Sequence, residues 1–124
     1  MGGEICLVGG TYPQGESHIS GEVYTPTGHV HGLHDRGHLI ANSLGGSDLN
    51  PANIVPLYPC ANQRVMAPIE ERVRRSVRNG ETIHYRVIAN HTGNDPVPDM
   101  LRITAYGDLG TMLDSMVVNT RDCM

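Results

Sequence analysis

Tryptophan, phenylalanine and lysine are absent from this chain of 124 residues. Five tyrosines are its only large aromatics, so the core must be assembled from Val, Ile, Leu, Met and Ala. No apolar run approaches the ~20 residues that a membrane helix needs. No heptad register persists either, which excludes a coiled coil. The three cysteines, Cys6, Cys60 and Cys123, show neither CxxC nor CxH spacing, which argues against a Cys-based zinc site. One thiol must stay unpaired within a monomer. Chain ends are often neighbours, so Cys6 with Cys123 is the candidate disulfide. The opening Met1-Gly2-Gly3 lacks the charged and apolar regions of a secretory signal. The expectation is a cytosolic chain, or a module cut from a larger exported protein.

What is present is just as directive. Fifteen Gly and eight Pro are many for this length and point to turns and irregular loops rather than a helical bundle. The length suits one domain, 1–124. All nine basic residues are Arg, set against thirteen acidic ones, for a net charge of −4. A protein that held nucleic acid by overall charge would be basic. Between Asn62 and Arg86, however, six Arg face three Glu, so that segment carries +3 and the remainder −7. Any anion site must be local, with Arg or a metal supplying the positive charge.

Glu4 to Val8 and Ile19 to Tyr24 read as short strands. A His-rich stretch, with His29, His31, His34 and His38, runs into apolar Leu39-Ile40-Ala41. Asn42 to Asn53 reads as a loop because of Gly45-Gly46 and Asn50-Pro51, and Ile54-Val55 as a short extended piece. Residues 61–78 form the best helix. Met66, Ile69, Val73 and Val77 fall within about 80° on a wheel of ~100° per residue. Arg64, Arg72, Arg74, Arg75 and Arg78 lie opposite, and Asn79-Gly80 is a stop signal. Pro68 cannot donate to residue 64, which implies two helices or one kinked helix. Thr82 to Ala89 and Met100 to Tyr106 alternate as strands, and Val117-Val118 ends the sheet. The order of strands, loop, helix and strands implies α+β with an antiparallel sheet and one main helix.

Four His within ten residues could ligate a metal such as zinc, although a solvated loop is the simpler account of His29, His31 and His34. His38 stands apart, in Asp35-Arg36-Gly37-His38 directly before an apolar segment. It is followed by Asn53-Ile54-Val55-Pro56, then Ala61-Asn62-Gln63, then Glu70. On an unbroken helix Asn62 and Glu70 lie about 80° apart, two turns distant. Both border the Met66–Val77 stripe, where a helix can present polar groups to an element bearing a histidine.

In this order and spacing the residues resemble the DNA/RNA non-specific endonucleases, the DRGH branch of the ββα-metal nucleases. The resemblance rests on DRGHLIANSLGG (35–46), NIVP (53–56), ANQ (61–63) and the M-x-x-I-E spacing ending at Glu70. It covers about His34 to Gly110. It implies hydrolysis of phosphodiester bonds in DNA, with RNA left open, and a ββα-metal core. His38 would be the general base, since its ordinary pKa suits proton abstraction near neutrality. Asn62 would anchor one hydrated Mg²⁺, with Mn²⁺ as a substitute, because Mg²⁺ keeps most of its waters. Glu70 would reach the metal through water, and Asn53 would bond the phosphate or orient His38. Arg36 is the phosphate contact within the motif, unless it pairs with a nearby acid. Asp35 is expected to orient or fix the loop, and Gly37 to permit a close approach. Gln63 either reaches substrate or braces Asn62.

Family members often place a further basic residue well upstream of the motif. Here no Lys or Arg precedes Arg36, so the task passes to Arg36, to an Arg of the helix such as Arg64 or Arg72, or to His29, His31 or His34. Few aromatics imply little base stacking and hence little sequence preference. Small members of this family often end large secreted bacterial toxins, which implies an immunity protein as partner. Two other readings stay open. One is an HNH-like zinc nuclease with direct His ligation. The other is a non-catalytic His-rich metal-binding or interaction module.

Overall fold

A computed structural model describes residues 1–122. The chain runs β1 (Gly2–Leu7), β2 (Asp35–His38), β3 (Ile54–Leu57), α1 (Ala67–Arg78), β4 (Ile83–Asn90), β5 (Met100–Gly107) and β6 (Met112–Val118). β1, β4, β5 and β6 form one antiparallel sheet in the order β1-β4-β5-β6, and β2 pairs with β3 as a separate antiparallel ribbon. The architecture is therefore α+β with one main helix. The ribbon β2–β3 followed by α1 makes a ββα unit beside the larger sheet.

Period-two alternation explains the sheet. Ile83, Tyr85, Val87 and Ala89 point inward from β4, and Leu101, Ile103 and Ala105 from β5. Met66, Val73 and Val77 bury the apolar stripe of the helical segment in the same core, with Ile69 packed against it. Each such side chain contributes about 1.5–3 kcal/mol when fully buried. Tyr85 is the largest fully buried side chain and stands in for the missing Phe and Trp. Glu81 closes the far end. Its carboxylate is buried and accepts from Leu109 N, Thr111 N and Thr111 Oγ1, tying the start of β4 to the β5–β6 turn.

Three expectations need correction. Ile19 to Tyr24 is not a strand: Ser20 N and Gly21 N both turn back onto His18, Gly21 has φ +78°, and Ile19 is fully exposed. With no apolar face to bury, the segment pairs with no strand. The helix is neither broken nor simply kinked at Pro68. A π-helical turn (Cys60–Met66) precedes α1, and Pro68 falls in the first turn of α1, where a missing N–H is tolerated. The wheel spacing of an unbroken α-helix does not hold across 62–66. Finally, Cys60 is disulfide-bonded whereas Cys6 is a free, exposed thiol. The expected Cys6–Cys123 pairing is thus not formed; Cys123 lies outside the described residues.

Candidate functional site

β2 is the organising element. It is four residues long, and those residues are Asp35-Arg36-Gly37-His38. Gly37 faces β3 so closely that a Cβ there would sit 2.3 Å from Leu57 Cδ1 and 2.9 Å from its Cβ. A side chain there would have to displace that of Leu57, which is fully buried in the core. The loop after β2 is equally tight, since a Cβ at Gly46 would lie 1.8 Å from the Ile40 carbonyl oxygen.

Asp35 gathers the two amides of the π-helical turn. Its Oδ2 accepts from Asn62 Nδ2 at 2.9 Å and from Gln63 Nε2 at 2.8 Å. An ionised carboxylate only accepts, so Asn62 must turn its NH₂ toward Asp35 and its carbonyl oxygen elsewhere. That oxygen accepts no hydrogen bond among the described residues. Gln63 resolves as a brace of the same turn rather than a free side chain. The wide turn itself is held by Ala67 N donating to the Asn62 carbonyl, the i to i−5 pattern. Such π insertions recur at functional sites.

His38 lies three positions along β2, about 10 Å from Asp35 by strand rise. Its Nε2 is 2.7 Å from Asp48 Oδ1, and both side chains are largely shielded. Asp48 is itself clamped through its backbone: its N–H donates to Glu16 O, and its carbonyl accepts from Tyr24 N–H. The sequence reading missed Asp48. The only signal was an acid in a glycine-rich loop two residues after Gly46, which by itself names nothing.

Asn53 departs from expectation. Its Oδ1 accepts from Ile40 N, and its Nδ2 donates to Ile40 O and Ser47 O, each at 2.9 Å. Every amide group is used to clasp the loop between β2 and β3. The expected contact with phosphate or with His38 gives way to that clasp. Arg36 is exposed, and among the described residues it forms no ion pair with Asp35 or any other acid. Its Nη1 donates to Val23 O at 2.8 Å, which steadies the guanidinium and leaves its other N–H groups available. A cavity of about 340 Å³ opens beside it, lined also by His18, Tyr24 and Leu49.

Glu70 is half-buried in α1. Burial pushes its carboxyl up to about 7, with Arg74 pulling the other way. Among the described residues no hydrogen bond reaches its carboxylate. Opposite it, Tyr85 Oη is buried with no hydrogen-bond partner among the described residues. Burial, and then the charge of Glu70, push this phenol well above its ordinary range. The partly buried acid on α1 is thus close enough to the buried phenol on β4 for its charge to be felt there.

The remaining histidines serve their own loop. His29 Nε2 bonds the His34 carbonyl, and Val30 N–H donates to His34 Nδ1. His34 is buried and packs against Tyr58, while His31 is exposed. Burial holds the His34 imidazole below its ordinary pKa, with His29 adding to the effect. Among the described residues no three His, Cys, Asp or Glu side chains could hold a metal ion together. The oxygens that are free, Asn62 Oδ1 and the Glu70 carboxylate, suit a hard cation that retains water. On α1, Arg72, Arg75 and Arg78 are exposed, whereas Arg74 turns inward to Ser43 and Glu71.

The family model of the DNA/RNA non-specific endonucleases matches residues 16–108, most of the chain. The chain belongs to that family. Among solved structures it is similar to NucA from Streptococcus agalactiae with no metal bound (TM-score 0.77, 24% identity, covering 96% of this chain). It is also similar to the same nuclease with a magnesium ion bound (TM-score 0.74, 23% identity, covering 96%). The Sda1 nuclease with a bound zinc ion matches over 71% of this chain, with TM-score 0.63 and 26% identity. The NucA matches establish a shared fold. This chain spans 64% of NucA and 40% of Sda1. No curated protein matches it.

Proposed function

We propose that the domain is a divalent-metal-dependent, sugar-non-specific endonuclease that hydrolyses phosphodiester bonds in DNA and accepts RNA. One observation carries the reading: Asp35 and His38 share a four-residue strand, and Asp35 draws Asn62 to that strand with its carbonyl oxygen uncommitted. On this reading Asn62 would anchor the metal and His38 would serve the water that attacks the phosphodiester.

A bound Mg²⁺ would supply positive charge to offset that of the phosphate and of the leaving oxygen. Asn62 Oδ1 would hold it, with Glu70 acting through its water. The magnesium found in NucA supports this choice of ion. Arg36 holds a non-bridging phosphate oxygen. His38 would take a proton from the attacking water as the new O–P bond forms, and the P–O3′ bond breaks with the leaving oxygen taking a proton from solvent water. General-base action of this kind is worth ~10²–10⁴-fold. Nothing in the set reads a base, so recognition runs through the backbone and sequence preference is low. We extend the reading to a toxin module of a larger secreted protein with an acidic immunity partner. The exposed arginines of α1 support this by offering a complementary surface.

The test is plasmid DNA and RNA incubated with the chain in Mg²⁺ or in EDTA, beside His38→Ala and Asn62→Ala. Degradation should require Mg²⁺ and fall at least ~100-fold in both variants, with circular dichroism unchanged. Full activity of either folded variant, or of the parent in EDTA, overturns the reading.

A further inference from the structure

Resting on the nuclease reading, we infer that Asp48 is the positioning residue of the base: its carboxylate fixes the ring orientation and tautomer of His38. Asp48 lies ten residues beyond His38 in sequence, and no motif that carries the family resemblance contains it. The contact is nevertheless the most directly built feature beside His38. Nε2 and Oδ1 are 2.7 Å apart, with relative exposures of 21% for the His38 side chain and 13% for that of Asp48.

An ionised carboxylate has no proton to give. The proton between the two groups therefore resides on Nε2, and Nδ1 of the neutral ring is the lone-pair nitrogen. That nitrogen can accept from water. When it does, the ring becomes an imidazolium whose Nε2–H already faces a fixed negative charge. Asp48 stays ionised throughout, and the proton taken from water remains on Nδ1 until solvent removes it. The same division of labour is seen where an acid orients a catalytic histidine in acyl transfer.

The clamp on Asp48 makes this a fixed device. Its backbone is bonded on one side to Glu16 and on the other to Tyr24. The nearby Ser47 Oγ is tied to Glu16 Oε1 and caps the N–H groups of Leu49 and Asn50. None of these bonds uses the Asp48 carboxylate, so replacing that side chain removes the His38 contact and leaves the loop held.

The experiment compares parent, Asp48→Asn, Asp48→Ala, His38→Ala and the Asp48→Ala/His38→Ala double variant on a defined DNA substrate in saturating Mg²⁺. The expected result is a kcat loss of ~100-fold in both Asp48 variants, with KM and the half-saturating Mg²⁺ concentration within twofold of the parent. In the double variant the loss should equal that of His38→Ala alone, because a positioning residue has nothing left to position. If Asp48→Ala lowers activity by the same factor with and without His38, its role is structural and the inference fails. If both Asp48 variants keep the parent kcat while His38→Ala is inactive, the inference fails and the nuclease reading stands. If His38→Ala is fully active, the nuclease reading fails first.

Discussion

Glu70 offers the sharpest physical test, because its free energy can be read without any turnover. Its carboxyl is raised from an ordinary 4.5 to about 7, chiefly by burial. The folded chain therefore binds this proton more tightly than the unfolded chain does. Below pH 4.5 both states are protonated and the group is neutral in the balance. As pH rises from 4.5 to 7 the unfolded chain ionises first, and stability falls by about 1.4 kcal/mol per unit. Above pH 7 both states are ionised and the loss levels off. The shift corresponds to as much as about 3 kcal/mol, reduced where solvent still touches the carboxylate.

Glu70→Gln keeps the shape and removes the charge. In EDTA, its melting temperature should match the parent at pH 4 and exceed it by about 10 °C at pH 8, taking roughly 3–5 °C per kcal/mol for a domain of this size. Added Mg²⁺ should narrow that gap, because a cation bound near Glu70 favours its ionised form and stabilises the parent alone. Activity should fall by ~10–100-fold in the same variant. A Gln variant no more stable than the parent at pH 8 would refute the argument that burial strains this carboxylate in readiness for a cation.

Tyr85→Phe removes a buried hydroxyl that lacks a partner among the described residues. It should raise stability in EDTA by about 1 kcal/mol or more, the lower range for relieving an unsatisfied buried group; a lower melting temperature would show that the hydroxyl is satisfied. Glu81 is the opposite case from Glu70. Its hydrogen bonds, from the Thr111 side chain first and then from backbone N–H groups, hold its carboxyl below the ordinary value. That contribution to stability is present above the ordinary carboxylate range and is lost as pH falls through the lowered one, so Glu81→Gln should destabilise at pH 7 and progressively less as the solution is acidified. For the cysteines, a thiol reagent should label Cys6 and spare Cys60 in the native, unreduced chain, as peptide mapping would show. Reduction should then lower stability by about 2–4 kcal/mol as the Cys60 bridge opens.

The parts legible in the sequence are those with a period. The strands β4 and β5 announce themselves by alternation, and the helical stripe Met66–Val77 by its wheel. Both survive because each buried residue adds to the same core. β6 was glimpsed only at Val117-Val118, since Asp114 and Met116 on its outer face and Ser115 between them blur the pattern. The motif residues were legible as a set but not as contacts. Nothing in Asn53 distinguishes an amide that clasps a loop from one that binds phosphate, because both tasks need the same donor and acceptor. Nor does local sequence reveal Asp48, whose importance lies in a bond across ten residues. The π-helical turn is equally silent. Its wide step follows from the placement of Pro68 and the pull of Asp35 on Asn62 and Gln63, the second of which is a tertiary contact.

On the proposed reading, the least patterned segment accounts for how an acidic chain with no Lys or Arg among residues 1–35 can hold a phosphate at Arg36. Residues 11–34 contain no helix or strand, yet their backbone reaches Arg36, Asp48 and the loop after β2. Val23 O receives the Arg36 guanidinium. Tyr24 N–H and Glu16 O grip Asp48 from its two sides, and Gly15 N–H bonds the Asn42 carbonyl at the start of the loop. Backbone groups can do this whatever side chains they carry, provided that the chain can turn sharply, and Gly21, Gly28 and Gly32 supply those turns with positive φ. The strap thus aims one guanidinium and one carboxylate instead of adding a second positive charge. A single arginine held in place loses less side-chain freedom on binding than a mobile one, a saving of up to ~2 kcal/mol for so long a side chain. It follows that substitutions in 11–34 should matter by their effect on backbone conformation rather than on charge. Gly21→Val should damage activity more than Glu22→Gln, although only the second alters the charge beside Arg36.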